Sequence, residues 1–186
     1  MHWANIRGER GTGGGLGVTD GVRHIISILL QNEAGALARV ANLFSTRGYN
    51  IESLNVAPTH DPTVSRLTLV TVGSETVMDQ IIKQLGKLVD VVNIIDMTDD
   101  DHIERELALF KIQVEGSDRE IVTRAASEFG ATVLDDHESH FTVELTGDSG
   151  AIDRFVTAIS ARARMSTVVR SGAMAVARGA PILTPT

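Results

Sequence analysis

The chain lacks cysteine altogether, which excludes disulfide bonds, thiolate metal sites and cysteine nucleophiles. Aromatic residues are scarce, at 4% of 186 residues, whereas hydrophobic residues reach 42%, so any core must be mainly aliphatic. Basic residues number 17 against 24 acidic ones, and the charge of −7 argues against a broad hold on nucleic-acid phosphates. No apolar run approaches the ~20 residues that span a bilayer. Because the N-terminal segment also lacks the apolar stretch of a signal peptide, we expect a cytoplasmic protein.

The segment over residues 23–98 alternates between strand-like and helix-like patterns. The β-branched apolar run VRHIISILL predicts a central strand. From Leu37 onward apolar residues recur at i, i+3, i+4 and i+7, the stripe of a helix, and Gly48 suits the end of that helix. Two strands, a second helix after Ser74 and a closing strand follow. This order is the split βαβ, ferredoxin-like plan, with both helices on one face of a four-stranded antiparallel sheet.

The same plan repeats after about 80 residues, so we predict an α+β protein of two tandem ferredoxin-like βαββαβ domains. Gly172 interrupts the last predicted strand and indicates a bulge or a bend there. The predicted organisation is a flexible glycine-rich extension over 1–22, a first domain over 23–98, a linker over 99–104, a second domain over 105–180 and an irregular tail over 181–186.

The turn QNEAGAL, between the first strand and the first helix, is polar but carries no nucleophile. The start of a helix presents free backbone N–H groups and a partial positive charge, which favour a carboxylate or a phosphate. Gly35 allows close approach to the backbone, and the Asn32 amide can donate and accept hydrogen bonds. These features suit an α-amino acid. Alternatively, Asn32 only caps the turn and Gly35 only eases it. A phosphate loop is less favoured, because neither glycine-rich phosphate motif is present.

The residues around this turn carry a resemblance. The run ISILLQNEAGALARVANLFSTRGYNIESLNVAPTHDPTVSRLTLVTVG resembles the ACT domain of the small, regulatory subunits of acetohydroxyacid synthase, also called acetolactate synthase. KQLGKLVDVVNI and RELALFKI follow in the order of that family, and the resemblance covers about residues 23–180.

Several expectations follow from the resemblance. Members of the family do not catalyse; they bind and activate a thiamine-diphosphate-dependent large subunit and confer feedback inhibition by valine or another branched-chain amino acid. Their ACT domains pair side by side into one continuous sheet, and the effector lies at that dimer interface. Thiamine diphosphate, Mg and FAD are expected only in the large subunit, and no cofactor is expected in this chain.

Matching the motif places the effector's polar contacts on Asn32, Gly35 and the neighbouring backbone, with Asn50 supplied by the partner subunit. Asn50 could instead cap the turn at Gly48. The apolar wall is assigned to Leu30, Leu37 and Val56, which could equally be plain core. In the second unit the corresponding turn carries acidic residues that would repel a carboxylate, so we expect the effector in the first unit only. The predicted effector contacts are Leu30, Asn32, Glu33, Ala34, Gly35, Ala36, Leu37, Asn50, Ile51 and Val56.

The loop PTHDPTVSR is a second candidate site. Its residues Pro58, Asp61 and Arg66 suit a projecting contact with a partner protein, although an ordinary hairpin would look the same. The run DDDH at 99–102 is a solvated linker rather than a metal site, since consecutive side chains cannot easily converge on one ion. The six histidines are scattered, and we find no catalytic triad.

Three other functions would make different demands on the sequence. A stand-alone ACT-type amino-acid sensor with a different partner stays open, and co-purification with a large thiamine-dependent subunit would distinguish the two. A small enzyme such as a chorismate-type mutase fused to an ACT domain would need an all-helical segment, which the patterns do not predict. A transcription regulator would need a helix-turn-helix, and none is visible in the sequence.

Overall fold

The first unit has the predicted order of strands and helices. The structure, a computed structural model, describes residues 21–116, 118–179 and 183–184, so the predicted extension over 1–22 lies almost wholly outside the described residues. The elements of the first unit are β1 (Val22–Gln31), α1 (Ala36–Ser45), β2 (Ile51–Pro58), β3 (Val64–Gly73), α2 (Glu75–Leu85) and β4 (Val91–Asp96).

These strands form an antiparallel sheet in the order β2-β3-β1-β4, which leaves β2 and β4 at the edges. Alternate residues of β1 point to opposite faces of the sheet. Ile26, Ile28 and Leu30 pack with Phe44 of α1 and Ile81 of α2 in one aliphatic core. The burial of each such side chain contributes about 1.5–3 kcal/mol to stability. Both helices therefore cover the same face of the sheet.

The elements of the second unit are β5 (His102–Gln113), α3 (Asp118–Phe129), β6 (Thr132–Asp136), β7 (His140–Gly147), α4 (Ser149–Ser160), β8 (Arg164–Arg170) and β9 (Met174–Ala177). This unit repeats the arrangement of the first, with the strand order β6-β7-β5-β8. Phenylalanines are prominent in its core: the Phe155 ring lies 4.8 Å from Phe110 and 5.4 Å, edge to face, from Phe129. The predicted class, α+β with two tandem ferredoxin-like βαββαβ units, is confirmed.

The sequence predicted one final strand, and the structure has two. The predicted bend is present at Gly172, where a positive φ of 77° turns the chain between β8 and β9. β8 pairs with the second half of β5, and β9 pairs with its first four residues, which puts β9 against the outer face of the first sheet. β5 also begins at His102, so the last residues of the predicted linker belong to a strand.

Both faces of the first sheet are therefore covered. On the face opposite the helices, Ile25 packs with Ala173 and Ala175, and Leu29 packs with Leu183. This explains why seven consecutive residues of β1 are buried rather than every second one. Within the described residues, no helix has the length and the apolar character needed to cross a bilayer.

Candidate functional site

The polar turn over residues 32–35 lies at the solvent-exposed start of α1. The helix begins at Ala36, and Gly35 precedes it in a left-handed conformation with φ of 89°. Residues 32–35 are all exposed. Because an α-helix gives its first N–H groups no intrahelical acceptor, the turn presents backbone donors and the positive end of the helix dipole. The arrangement can receive a carboxylate, as the sequence predicts.

Asn32 fastens this turn to the loop between β2 and β3. Its backbone N–H donates to the Thr63 carbonyl at 2.8 Å, and its side-chain Nδ2 donates to the Pro62 carbonyl at 2.9 Å. The donor half of the amide is thus engaged within the chain. The Oδ1 oxygen is the half that can accept a hydrogen bond from an ammonium group.

Arg39, in the first turn of α1, packs against the polar turn, a contact that the sequence analysis missed. Its Nη2 donates to Oδ1 of Asp90 at 2.7 Å, and its Nε donates to Oδ2 of the same carboxylate. A Cβ added at Gly35 would lie 3.1 Å from Arg39 Nη1, so the guanidinium packs on the side of this glycine where other residues carry their Cβ. The available signal was spacing, since an arginine four residues after Gly35 returns to the first turn of the helix. No local pattern pointed to Asp90.

The Arg39–Asp90 pair is an ion pair with one buried end. The Asp90 side chain is 4% exposed and that of Arg39 is 45% exposed. The hydrogen bond from Arg39 lowers the pKa of Asp90, and the hydrogen bond to Asp90 raises the pKa of Arg39. Both groups therefore stay charged at neutral pH.

The predicted apolar contacts divide into core and surface. Leu30 is 2% exposed and packs between the sheet and the helices, and Ala36 is also buried. Leu37 and Val56, in contrast, are 40% and 39% exposed and can contact a ligand or another chain. Ile51 is half-buried against the same core as Leu30.

Asn50 lies at the opposite end of the sheet from Asn32. The strand registers pair Ile51 with Thr71, and Thr71 with His24 near the start of β1, whereas Asn32 follows the end of that strand. At about 3.3 Å per residue, the two asparagines are separated by more than ~20 Å within one chain. Asn50 donates from Nδ2 to Glu52 at 2.9 Å and is exposed. A single chain therefore cannot bring both asparagines to one small ligand.

The loop between β2 and β3 is held by its own side chains. Thr63 donates to the Asp61 carboxylate from both its N–H and its hydroxyl, and these bonds lower the pKa of Asp61. Arg66 Nη2 donates to the Leu183 carbonyl at 3.1 Å, so this guanidinium contacts the chain's own C-terminal segment. Pro58 ends β2, and together with Arg66 and Leu183 it lines a cleft of about 490 Å³. The role of these three residues in contacting another protein stays a prediction.

Comparison with known proteins settles the family. The model described as "AHAS small subunit-like ACT domain" matches residues 26–93, and the model "Small subunit of acetolactate synthase" matches residues 105–179. Together they cover both ferredoxin-like units. The chain belongs to the family of acetolactate synthase small subunits.

Individual relatives match this chain along nearly their whole length. The acetolactate synthase isozyme 3 small subunit of Escherichia coli (strain K12) is 49% identical over 162 residues, covering 87% of this chain and 99% of the relative. The acetolactate synthase small subunit of Haemophilus influenzae is 44% identical, covering 85% and 97%. The crystal structure of the acetolactate synthase small subunit from Thermotoga maritima superposes with a TM-score of 0.77 at 29% identity, covering 86% of this chain and 99% of that one. The predicted identity, a regulatory subunit with an ACT domain, is confirmed.

The second unit of this small subunit differs from the ACT unit at the matching turn. Asp118 and Glu120 lie in the first turn of α3, where their charges occupy the anion-favouring end of the helix. Within the described parts of the chain, no group of three or more His, Asp or Glu side chains could hold a metal ion. In the predicted linker, Asp101 pairs with Arg178 at 3.1 Å. The exposed turn of the first unit remains the best candidate for an amino-acid site.

Proposed function

We propose that this small subunit binds a branched-chain amino acid, with valine favoured, between two copies of its ACT unit. The site would combine the first turn of α1 in one copy with Asn50 of the partner subunit. The observation that carries the proposal is the separation of Asn32 and Asn50 at opposite ends of one sheet.

A two-fold pairing of β2 strands removes that separation. β2 is an edge strand, and its end at Pro58 lies at the same end of the sheet as the end of β1 that precedes Asn32, with β3 between the two strands. In an antiparallel pairing across a two-fold axis, the start of one β2 lies next to the end of the other. Asn50 of the partner subunit would then come near the turn that carries Asn32. The pairing would also satisfy the unpaired backbone groups of an exposed edge.

The chemistry of the turn fits an apolar amino acid. The backbone donors at the start of α1 suit the carboxylate, and Asn32 Oδ1 can accept a hydrogen bond from the ammonium group. The exposed side chains of Leu37 and Val56 offer an apolar surface. A pocket for valine and one for isoleucine differ by a single methylene, worth about 1–3 kcal/mol, so a preference for valine needs a direct comparison of ligands.

In the proposed mechanism the ligand acts by linkage. A ligand shifts an equilibrium between two states only by its difference in affinity for them, and such coupling is typically ~1–3 kcal/mol. A valine that bridges two ACT units favours the dimer arrangement in which the interface between the two units is closed. We propose that the large, catalytic subunit is activated by the other arrangement, so that valine withdraws the activation.

The proposal assigns the chemistry of the holoenzyme to the large subunit, in the cytoplasm. This chain would contribute no cofactor, and thiamine diphosphate, Mg and FAD would belong to the large subunit. The alternative, a stand-alone sensor, is disfavoured by matches that extend over both units to relatives named as small subunits. Co-purification with a large thiamine-dependent subunit separates the two functions.

Calorimetric titration of the whole chain with valine, leucine and isoleucine tests the proposal. We expect valine to bind, and Asn32→Ala to weaken binding by about tenfold or more, because a hydrogen bond to a charged group contributes about 1.5–3 kcal/mol. Asn42→Ala is the matched control, since Asn42 is an exposed asparagine on α1, beyond the first turn of that helix.

The same variants belong in an assay reconstituted with the large subunit. Asn32→Ala should abolish inhibition by valine, whereas Asn42→Ala should behave as the unmodified chain. Full sensitivity of Asn32→Ala to valine would show that the effector binds elsewhere.

A further inference from the structure

One ion pair beside the turn makes none of the contacts proposed for the ligand. Arg39 sends two of its three guanidinium nitrogens to both oxygens of Asp90, a bidentate contact that fixes orientation as well as distance. The carboxylate end is buried and the arginine reaches it from the exposed surface of α1. The pair therefore ties the helix to the segment that leads into β4.

Asp90 holds the turn at both of its ends. Its carboxylate binds Arg39 on the first turn of α1, and its backbone carbonyl accepts the N–H of Gln31, the last residue of β1, at 2.8 Å. The turn over residues 32–35 lies between these two anchors, Gln31 and Arg39. Since the donors of the turn are backbone groups, their directions depend on how the helix start is held relative to β1.

The third nitrogen of the guanidinium lies over the turn itself. Nη1 is 3.1 Å from the position that a Cβ of Gly35 would take. The Arg39 N–H also donates to the Gly35 carbonyl at 3.0 Å. Arg39 thus contacts the turn through its backbone and its side chain while Asp90 holds the far end of that side chain.

We infer that Arg39 is a positioning residue of the effector site, acting through Asp90 to hold the backbone donors of the turn in the geometry that receives a carboxylate. This inference rests on the proposed function, because it specifies how the same site is kept ready for its ligand. It assigns no contact between Arg39 and the ligand. It also gives a positioning role to Asp90, which is more than fifty residues away in the sequence.

Hydrogen exchange tests the positioning without any ligand. In Arg39→Gln, the hydrogen-bonded amides of Gln31 and Ala36 should exchange roughly tenfold faster, because their bonds depend on the anchored turn. Amides in the core of the second unit should exchange at unchanged rates. Arg124→Gln is the matched control: Arg124 pairs with Glu128 on exposed α3 and carries the same charge, far from the turn in sequence. Unchanged exchange at Gln31 and Ala36 in Arg39→Gln would overturn the inference.

Valine titration of the whole chain tests the consequence for binding. Arg39→Gln should raise the Kd by roughly tenfold, Arg39→Lys should recover part of that loss, and Asp90→Asn should match Arg39→Gln. The double variant should be no weaker than either single one, because residues that act as a unit are not additive. Additive losses, or an unchanged Kd in Asp90→Asn, would mean that Arg39 does not act through Asp90.

The two experiments separate this inference from the proposed function. If the unmodified chain binds none of valine, leucine and isoleucine, the proposed function fails, whereas the exchange rates still decide whether Arg39 and Asp90 hold the turn. If the unmodified chain binds valine and Arg39→Gln binds it equally well, the inference fails and the proposed function stands.

Discussion

At the scale of single residues, two separate features of position 35 require glycine. Its φ of 89° lies in the left-handed region, which costs a side-chain-bearing residue about 1–2 kcal/mol. The side of Gly35 where other residues carry their Cβ is also packed by Arg39, whose side chain is held by Asp90 and cannot easily move away. Gly48, at the other end of α1, has only the first feature: its φ is 72°, and a Cβ there would have nothing within 4 Å.

This pair of glycines separates backbone strain from crowding. We expect Gly35→Ala to lower the melting temperature by more than Gly48→Ala, because only Gly35→Ala adds a clash with Arg39 to the strain. An extra 1 kcal/mol would appear as about 2–4 °C in a chain of this length. Thermal unfolding measures both variants, and the excess should disappear in an Arg39→Ala background. Equal losses at the two positions would show that the guanidinium moves aside without cost.

At the scale of secondary-structure elements, local pattern predicted most of the fold. β3 and β7 begin and end where apolar alternation and flanking turn residues place them, and α1 begins directly after Gly35. The division of the last strand could not be predicted from local pattern, because β9 is a separate strand owing to its packing against the first sheet. Its residues pack against Ile25 on the far face of the first sheet, a contact between parts of the chain about 150 residues apart. Similarly, the partner of Arg39 could not be read from α1 alone.

The four-residue strand β9 offers a prediction at this scale. Ala175 is buried at 6% exposure against the first sheet, whereas its neighbour Val176 is 51% exposed. We expect Ala175→Glu to release β9 from the first sheet, since a charge in an aliphatic cluster must either lose its hydration or leave. Limited proteolysis should then cleave between residues 171 and 179 markedly faster. Val176→Glu adds the same charge one residue later and should leave the cleavage rate unchanged; rapid cleavage of both variants, or of neither, would contradict this packing.

At the scale of the whole molecule, the proposed effector site requires a second copy of the chain. The ACT sheet is covered on one face by its helices and on the other by β9 and Leu183, which leaves its two edge strands, β2 and β4, for pairing. The proposal uses the β2 edge, because Asn50 directly precedes that strand. The sequence could suggest Asn32 and Asn50 as contacts by resemblance, but it could not show that they lie at opposite ends of a sheet. Under the proposed function, that geometry couples oligomeric state to ligand affinity, because loss of the dimer would remove half of the site.

A charge on the β2 edge should therefore weaken the dimer and the binding of valine together. Val56 is exposed on this edge strand, and a two-fold pairing would place both copies of Val56→Lys at the same interface. We expect light scattering to report monomer at concentrations where the unmodified chain is dimeric, and calorimetry to report a raised Kd for valine. High salt should restore part of both losses, since screening weakens repulsion between exposed charges. Val89→Lys is the control, because Val89 is 81% exposed and outside β2. If Val56→Lys stayed dimeric and bound valine normally, β2 could not form the dimer interface, and Asn50 would have to be removed from the site.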